Sequence, residues 1–149
     1  MCEIKKYLII YGGNVSEFEE KLLSNSEQEI RTGKIGEWCK LADIYTRQLT
    51  IISINPYPEE SNESEFDDDE TTPSIKHINK NIEYDNFFRW GIQGRGTGNH
   101  RIVFAIHNYH KVILLHHFDK KYNGSIKRND LVPAEFYYEE YSVLDPSHY

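Results

Sequence analysis

The residues best equipped for chemistry crowd into one stretch, HRIVFAIHNYHKVILLHHFDKK, running from His100 to Lys121. Its middle is apolar and β-prone, but its outer ends carry Arg101, His116, His117, Lys120 and Lys121. Histidine takes or gives a proton near neutral pH. Arginine forks onto two phosphate oxygens at once, and lysine adds a point charge. Side by side these are the parts of a site that holds a phosphate and transfers a proton beside it. Arg89, in NFFRWGI, and Arg95, in the glycine-rich GRGTGN, add two cations just upstream. Glycines there let backbone N–H groups approach a phosphate, although the strand-to-helix setting of a P-loop is missing.

The histidines between His100 and His117 also raise a metal site. His116 and His117 point to opposite faces of a strand, and no cysteine or carboxylate cluster completes a tetrahedral set. Neither a metal nor another cofactor is expected.

The formal charge of −7 is unevenly spread. PEESNESEFDDDETTP, from Pro58 to Pro73, carries eight carboxylates, and without them the chain stands at +1. From Ser74 to Leu131 ten lysines and arginines face four carboxylates, and six of the seven histidines fall there too. A basic region beside an acidic run is a polarity that the net charge hides. With 149 residues the chain fits one domain, 1–149, interrupted by an acidic loop at about 57–73. Cys2 and Cys39 make no framework of spaced pairs, and the apolar run near the N-terminus is too short for a signal peptide or a span. A cytoplasmic protein with no membrane partner is expected.

The elements that must position the cations follow from periodicity. KYLIIYG reads as a strand closed by Gly12-Gly13. A helix follows, with Asn14 or Ser16 as cap and Val15, Phe18, Leu22 and Leu23 at helical spacing. Past Gly33 and Gly36 the period resumes in Trp38, Leu41, Ala42, Tyr45 and Leu49, which makes an αα-hairpin. TIISI reads as a short strand before Asn55-Pro56. NFFRWGI, RIVFAIH and KVILLHHF are three antiparallel strands. Asn129 or Asp130 caps a last helix with Pro133 in its first turn, ended by Asp145-Pro146. Within it Phe136 is assigned to the core, while Tyr137 and Tyr141 form a face suited to stacking on bases. The fold class expected is α+β: an N-terminal strand and αα-hairpin on a small antiparallel sheet, with a C-terminal helix.

A two-residue turn at Asn108-Tyr109 would set Ala105 opposite Val112, Val103 opposite Leu114 and Arg101 opposite His116. Arg101, Val103, Ala105 and His107 then share a face with His110, Val112, Leu114 and His116. The bulkier face, with Ile102, Phe104, Ile106, Ile113, Leu115 and His117, is assigned to the helices. The first face is expected to be a shallow open surface ending in Arg101 and His116, which a slip of one residue would reverse.

FFRWGI, HRIVFAI, ILLHHFDKK and PAEFYYEEY, in this order and spacing, resemble the RelE/ParE superfamily of bacterial toxins, and within it the HigB-like, phage-derived branch. The resemblance covers Ile75 to Tyr141 in its motifs, and the first half in its element order; His100 stands where that pattern has a tyrosine. It implies a RelE-like fold and a toxin of a toxin-antitoxin system. Such a toxin is a metal-independent endoribonuclease that turns a ribose 2′-OH on the adjacent phosphate of mRNA on the ribosome, and an antitoxin protein neutralises it. By the same resemblance Arg89, Arg101 and Lys121 are catalytic, with His116 the choice for proton transfer. Lys120, Arg95, His117, Tyr137 and Tyr141 would bind RNA, and a terminal His148-Tyr149 has counterparts in some relatives. The competing expectation is a non-catalytic protein-binding module on the same fold, a phage-encoded inhibitor or a toxin aimed at a protein.

Overall fold

The structure is a computed structural model that describes residues 6–57, 72–107 and 110–144. The acidic loop, the Asn108-Tyr109 turn and the His148-Tyr149 end lie outside the described residues, apart from Tyr57, Thr72 and Pro73 at the margins of that loop. The elements are β1 (Leu8–Tyr11), α1 (Val15–Arg31), α2 (Glu37–Ile54), β2 (Ser74–His77), β3 (Phe87–Gly94), β4 (Gly98–His107), β5 (Lys111–Asp119) and α3 (Arg128–Leu144). Among the described residues the strands make one sheet, β1-β5-β4-β3-β2. The class is α+β, as expected, but the sheet is mixed: β1 runs parallel to β5 while the other pairs are antiparallel.

Two local readings change. TIISI is no strand; it completes α2, because Ile52 continues the buried stripe of Leu41, Tyr45 and Gln48. The second strand is SIKH, a four-residue edge strand on β3, too short to announce itself by alternation. In α1, Asn14 sits at the cap position but its side chain does not cap. Its amide turns to β5, accepting from the His117 N–H at 2.7 Å and donating to the His117 carbonyl at 2.9 Å. β1 ends at Tyr11, so this side chain replaces a strand partner further along β5.

Both faces of the sheet are covered. Ile102, Phe104, Ile106, Val112 and Leu114 pack with Val15, Phe18, Leu22, Leu41 and Tyr45 of the αα-hairpin. On the far side Val103, Ala105, Ile113 and Leu115 pack with Leu131, Ala134 and Tyr138 of α3. The expected register is therefore corrected. Ala105 faces Ile113 and Phe104 faces Leu114, one residue away from the expectation, so Val112 and Leu114 move to the αα-hairpin side. Phe136 is also corrected: it is 55% exposed, and Tyr138 takes the core place, its hydroxyl 3.0 Å from His107 Nδ1 and from the Asn86 amide.

The register then shifts again between Val103 and Phe104. Leu115 has no partner on β4, and beyond it His116 faces Val103, His117 faces Ile102 and Phe118 faces Arg101. This is a β-bulge, in which two consecutive residues turn to one side. Leu115 and His116 both lie on the α3 side, and Arg101 shares that side.

Gly13 lies where β1 gives way to α1 against β5. It has φ +54, and a Cβ there would stand 2.1 Å from the Leu115 carbonyl oxygen and 2.9 Å from the Tyr137 ring. Backbone cannot yield as a side-chain tip can. Gly13→Ala is expected to cost at least about 2 kcal/mol. Thermal unfolding should show this as a Tm lowered by roughly 4–8 °C.

Candidate functional site

α3 covers only part of its face of the sheet. Past Val103 and Leu115 two rows of side chains cross the strands on that side. One is Ser74, Gly91, Arg101 and Phe118; the other is Lys76, Arg89, Val103 and His116. Arg89 and Arg101 converge over Gly91. A Cβ on that glycine would meet Arg89 Nη1 at 2.7 Å and Arg101 Nη1 at 3.1 Å, so the missing side chain is what lets two guanidiniums share the space.

Their partners are neutral. Arg101 donates to Asn99 Oδ1 at 2.7 Å and to the His100 carbonyl at 3.0 Å, and Arg89 donates to the Ser74 hydroxyl at 3.3 Å. Lys120 donates to the Gly124 carbonyl and stands 5.2 Å from the centre of the Tyr122 ring. Among the described residues no carboxylate lies within ion-pair distance of these three cations. Burial, then the charge of Arg101, presses Arg89 down to about 10. Burial lowers Arg101 as well. Lys120 is lowered by burial and then by the two arginine charges. Partly buried cations in which Arg101 lowers Arg89 and both lower Lys120, with no carboxylate among the described residues between them, form a site that an arriving phosphate would relax.

His116 stands in the next part of the row, stacked on Phe118 with ring centres 5.9 Å apart. Burial holds its pKa below the usual histidine value against the opposing pull of Asp130, so it is neutral at pH 7. Its Nδ1 is buried and has no hydrogen-bond partner among the described residues. Asp130 accepts from the Tyr122 hydroxyl, which in turn accepts from the Lys127 N–H at 3.0 Å. A neutral imidazole thus lies on the same face as three cations that have no carboxylate partner among the described residues.

Two cavities meet at the arginines. A groove of about 790 Å³ runs from Leu41, Ile44 and Gln48 of α2 past Ser74 to Arg95. A chamber of about 340 Å³ lies between the β2–β3 turn and the β5–α3 loop. Arg89 and Arg101 line both.

Of the expected site residues, Arg89, Arg101 and Lys120 come together in one lining, Arg95 lies exposed on the rim of the groove, and His116 lies on the same face of the sheet but lines neither cavity. His116 faces Val103, not Arg101, which it neighbours diagonally. Lys121 is exposed and lines neither cavity, whereas Lys120 lines the chamber. Tyr137 and Tyr141 pack along α3, Tyr137 beside Gly13 and Tyr141 against His107, and line neither cavity. His117 lies on the opposite face, ring to ring with Phe18 at 3.8 Å and with its Nε2 2.9 Å from His100 Nδ1. The expected shallow surface is also corrected, since α3 buries Val103 and Ala105. Sequence reading missed Gly91, Ser74 and Tyr122. A lone glycine inside the apolar strand FFRWGI was the available sign of a close approach.

Searches for a matching family model, curated protein or solved structure find none for this chain. The likeness to RelE/ParE toxins therefore rests on the motifs themselves.

The His117 ring yields a stability expectation. Burial, then the neighbouring His100 and His116, push it down to about 3. The unfolded chain binds this proton near the ordinary value of about 6.5, so the unfolded state gains protons first as pH falls. Stability is full above that value and declines as pH drops towards 3. Between neutral pH and about pH 5 the loss should be on the order of 1–2 kcal/mol. Urea unfolding across pH should follow this slope, and it should flatten in His117→Phe.

Proposed function

We propose that this chain is a RelE/ParE-type toxin that cuts mRNA on the ribosome, with Arg89, Arg101, Lys120 and His116 as its working residues. The observation that carries the reading is the convergence of Arg89 and Arg101 over Gly91 with no carboxylate between them among the described residues.

The chemistry follows from the arrangement. An RNA phosphodiester seats its non-bridging oxygens on the two guanidiniums, which stabilise the charge that builds as the phosphorus gains a fifth oxygen. His116, neutral at pH 7, takes the proton of the adjacent 2′-OH. The 2′-oxygen bonds to phosphorus and the bond to the 5′-oxygen breaks. Lys120, its ammonium made more acidic by burial and the neighbouring arginines, gives that oxygen a proton. The products are a 2′,3′-cyclic phosphate and a 5′-hydroxyl. A cognate antitoxin would be the partner that restrains the activity.

Induced expression in a bacterium, with mRNA 5′ ends mapped, tests the reading. Growth arrest with new mRNA ends is expected from the wild type. His116→Ala should cut about 100-fold or more slowly, and Arg101→Ala should lose a comparable factor, both with unchanged circular dichroism. Arrest without cuts, or arrest indifferent to both substitutions, would replace the reading with a protein-binding module on this fold.

Gly91→Ala gives a second check. Its Cβ would collide with the mobile tips of Arg89 and Arg101, not with backbone. A Tm near that of the wild type, with cleavage reduced about tenfold, is expected if the guanidinium pair holds the phosphate.

A further inference from the structure

The guanidinium pair does not sit at a dead end. The groove opens on one side of it and the chamber on the other, with Arg89 and Arg101 in both linings. A pocket for a terminal phosphate would be closed on one side. A site open on both sides suits a phosphate in the middle of a chain.

The two sides differ in chemistry. The groove carries Glu37 and Gln93, an acceptor and an amide of the kind that read base edges. The chamber has Lys76, Lys80 and Lys120 beside the arginines and, among the described residues, no carboxylate in its lining. Lys76 faces Arg89 directly across the β2–β3 pair, on the same side of the sheet. The row from Lys76 through Arg89 and Val103 to His116 covers three strand spacings, about 14 Å. One phosphate with its ribose cannot reach from His116 to Lys76.

The chamber walls are also fastened. Asn81, at φ 62 in the β2–β3 turn, donates to the Ile126 carbonyl at 3.0 Å. Arg128 donates to the Asn81 carbonyl at 3.0 Å and to the buried Glu135 carboxylate at 2.7 Å. Glu135 in turn accepts from the Glu83 N–H at 2.8 Å. The turn that carries Lys80 is thereby bolted to the start of α3, facing Gly124 and Ser125 across the opening.

Building on the proposed function, we infer that the chamber is a second phosphate subsite, in which Lys76 and Lys80 grip the phosphodiester next to the one held by Arg89 and Arg101. The ligand is a single strand passing through, its backbone clamped on the Lys76 side and its bases lying on the α2 side. Two adjacent phosphates are needed to fill both subsites, a single one fills only the arginine site, and sequence preference comes from the groove alone.

The test uses the whole chain and two probes that resist cleavage, a 2′-O-methyl oligouridine octanucleotide and the corresponding dinucleotide, which has one phosphodiester. Binding is measured in a salt titration, directly for the octanucleotide and by competition for the dinucleotide. Lys76→Ala/Lys80→Ala should weaken the octanucleotide about tenfold at low salt and reduce its log–log salt slope by about 0.7, one phosphate's share in a single strand. The dinucleotide should be unaffected, while Arg89→Ala weakens both probes. If the lysine pair leaves the octanucleotide unchanged while Arg89→Ala weakens both, the second subsite is overturned and the proposed function stands. Equal weakening of both probes by the lysine pair also overturns it, since the lysines would then serve the first phosphate. Indifference of both probes to Arg89→Ala would overturn the proposed site and the inference together.

Discussion

β4 and β5 hold two registers in one ladder. From His107 to Phe104 the strands pair in one register, and from Val103 to His100 in another, with Leu115 left over. Strict alternation would send a residue after Leu115 to the αα-hairpin side. The bulge keeps Leu115 in the α3 core and turns His116 to that side as well. Removing it would force a choice between burying Leu115 with α3 and presenting His116 beside Arg101. Asn14 holds the strand just beyond the irregularity through both backbone groups of His117, where β1 no longer reaches. A glycine with positive φ sits against the Leu115 carbonyl for the same reason: the chain must pass close to the bulged strand.

Around that bulge the molecule sorts its cations by what they meet. Arg128 is spent on structure, locked to the buried Glu135 and to the β2–β3 turn. Arg47 and Arg31 make exposed i,i+4 pairs of the kind that contribute little. Arg89, Arg101 and Lys120 have neutral partners and each other. Half-buried cations held together in this way destabilise the folded state, and a compact fold tolerates such a cluster where function needs it. The glycine between the two arginines fits the same logic, since any side chain at Gly91 would push the guanidiniums apart.

Much of the architecture was legible from periodicity. The αα-hairpin, the three long strands and α3 follow from spacing and turn residues, and Val15, Phe18, Leu22, Leu41 and Tyr45 are buried as their spacing implies. The parallel β1–β5 pair was not legible, because β1 is separated along the chain from its partner by an edge strand that the sequence hid. β2 was hidden because four residues on a sheet edge leave almost no alternation, and TIISI misled because β-branched residues occur in a helix whose burial stripe demands them. The cluster of Arg89, Arg101, His116 and Lys120 was named from residue type. Its geometry was not, because a bulge obeys tertiary packing and leaves no mark in a run such as ILLHH.

The adjacent histidines show what the bulge decides. His116 and His117 have the same side chain, the same strand and ordinary titration near neutrality. His117 points under Phe18, bonds to His100 and is pushed down to about 3, which makes it a neutral packing group. His116 points to the arginine face, with Asp130 opposing part of the burial effect, so its shift is partly offset. One is fixed by the core, and the other lies on the α3 side of the sheet, the side that carries Arg89 and Arg101. Which side each histidine faces is set by a single leucine with no partner on β4.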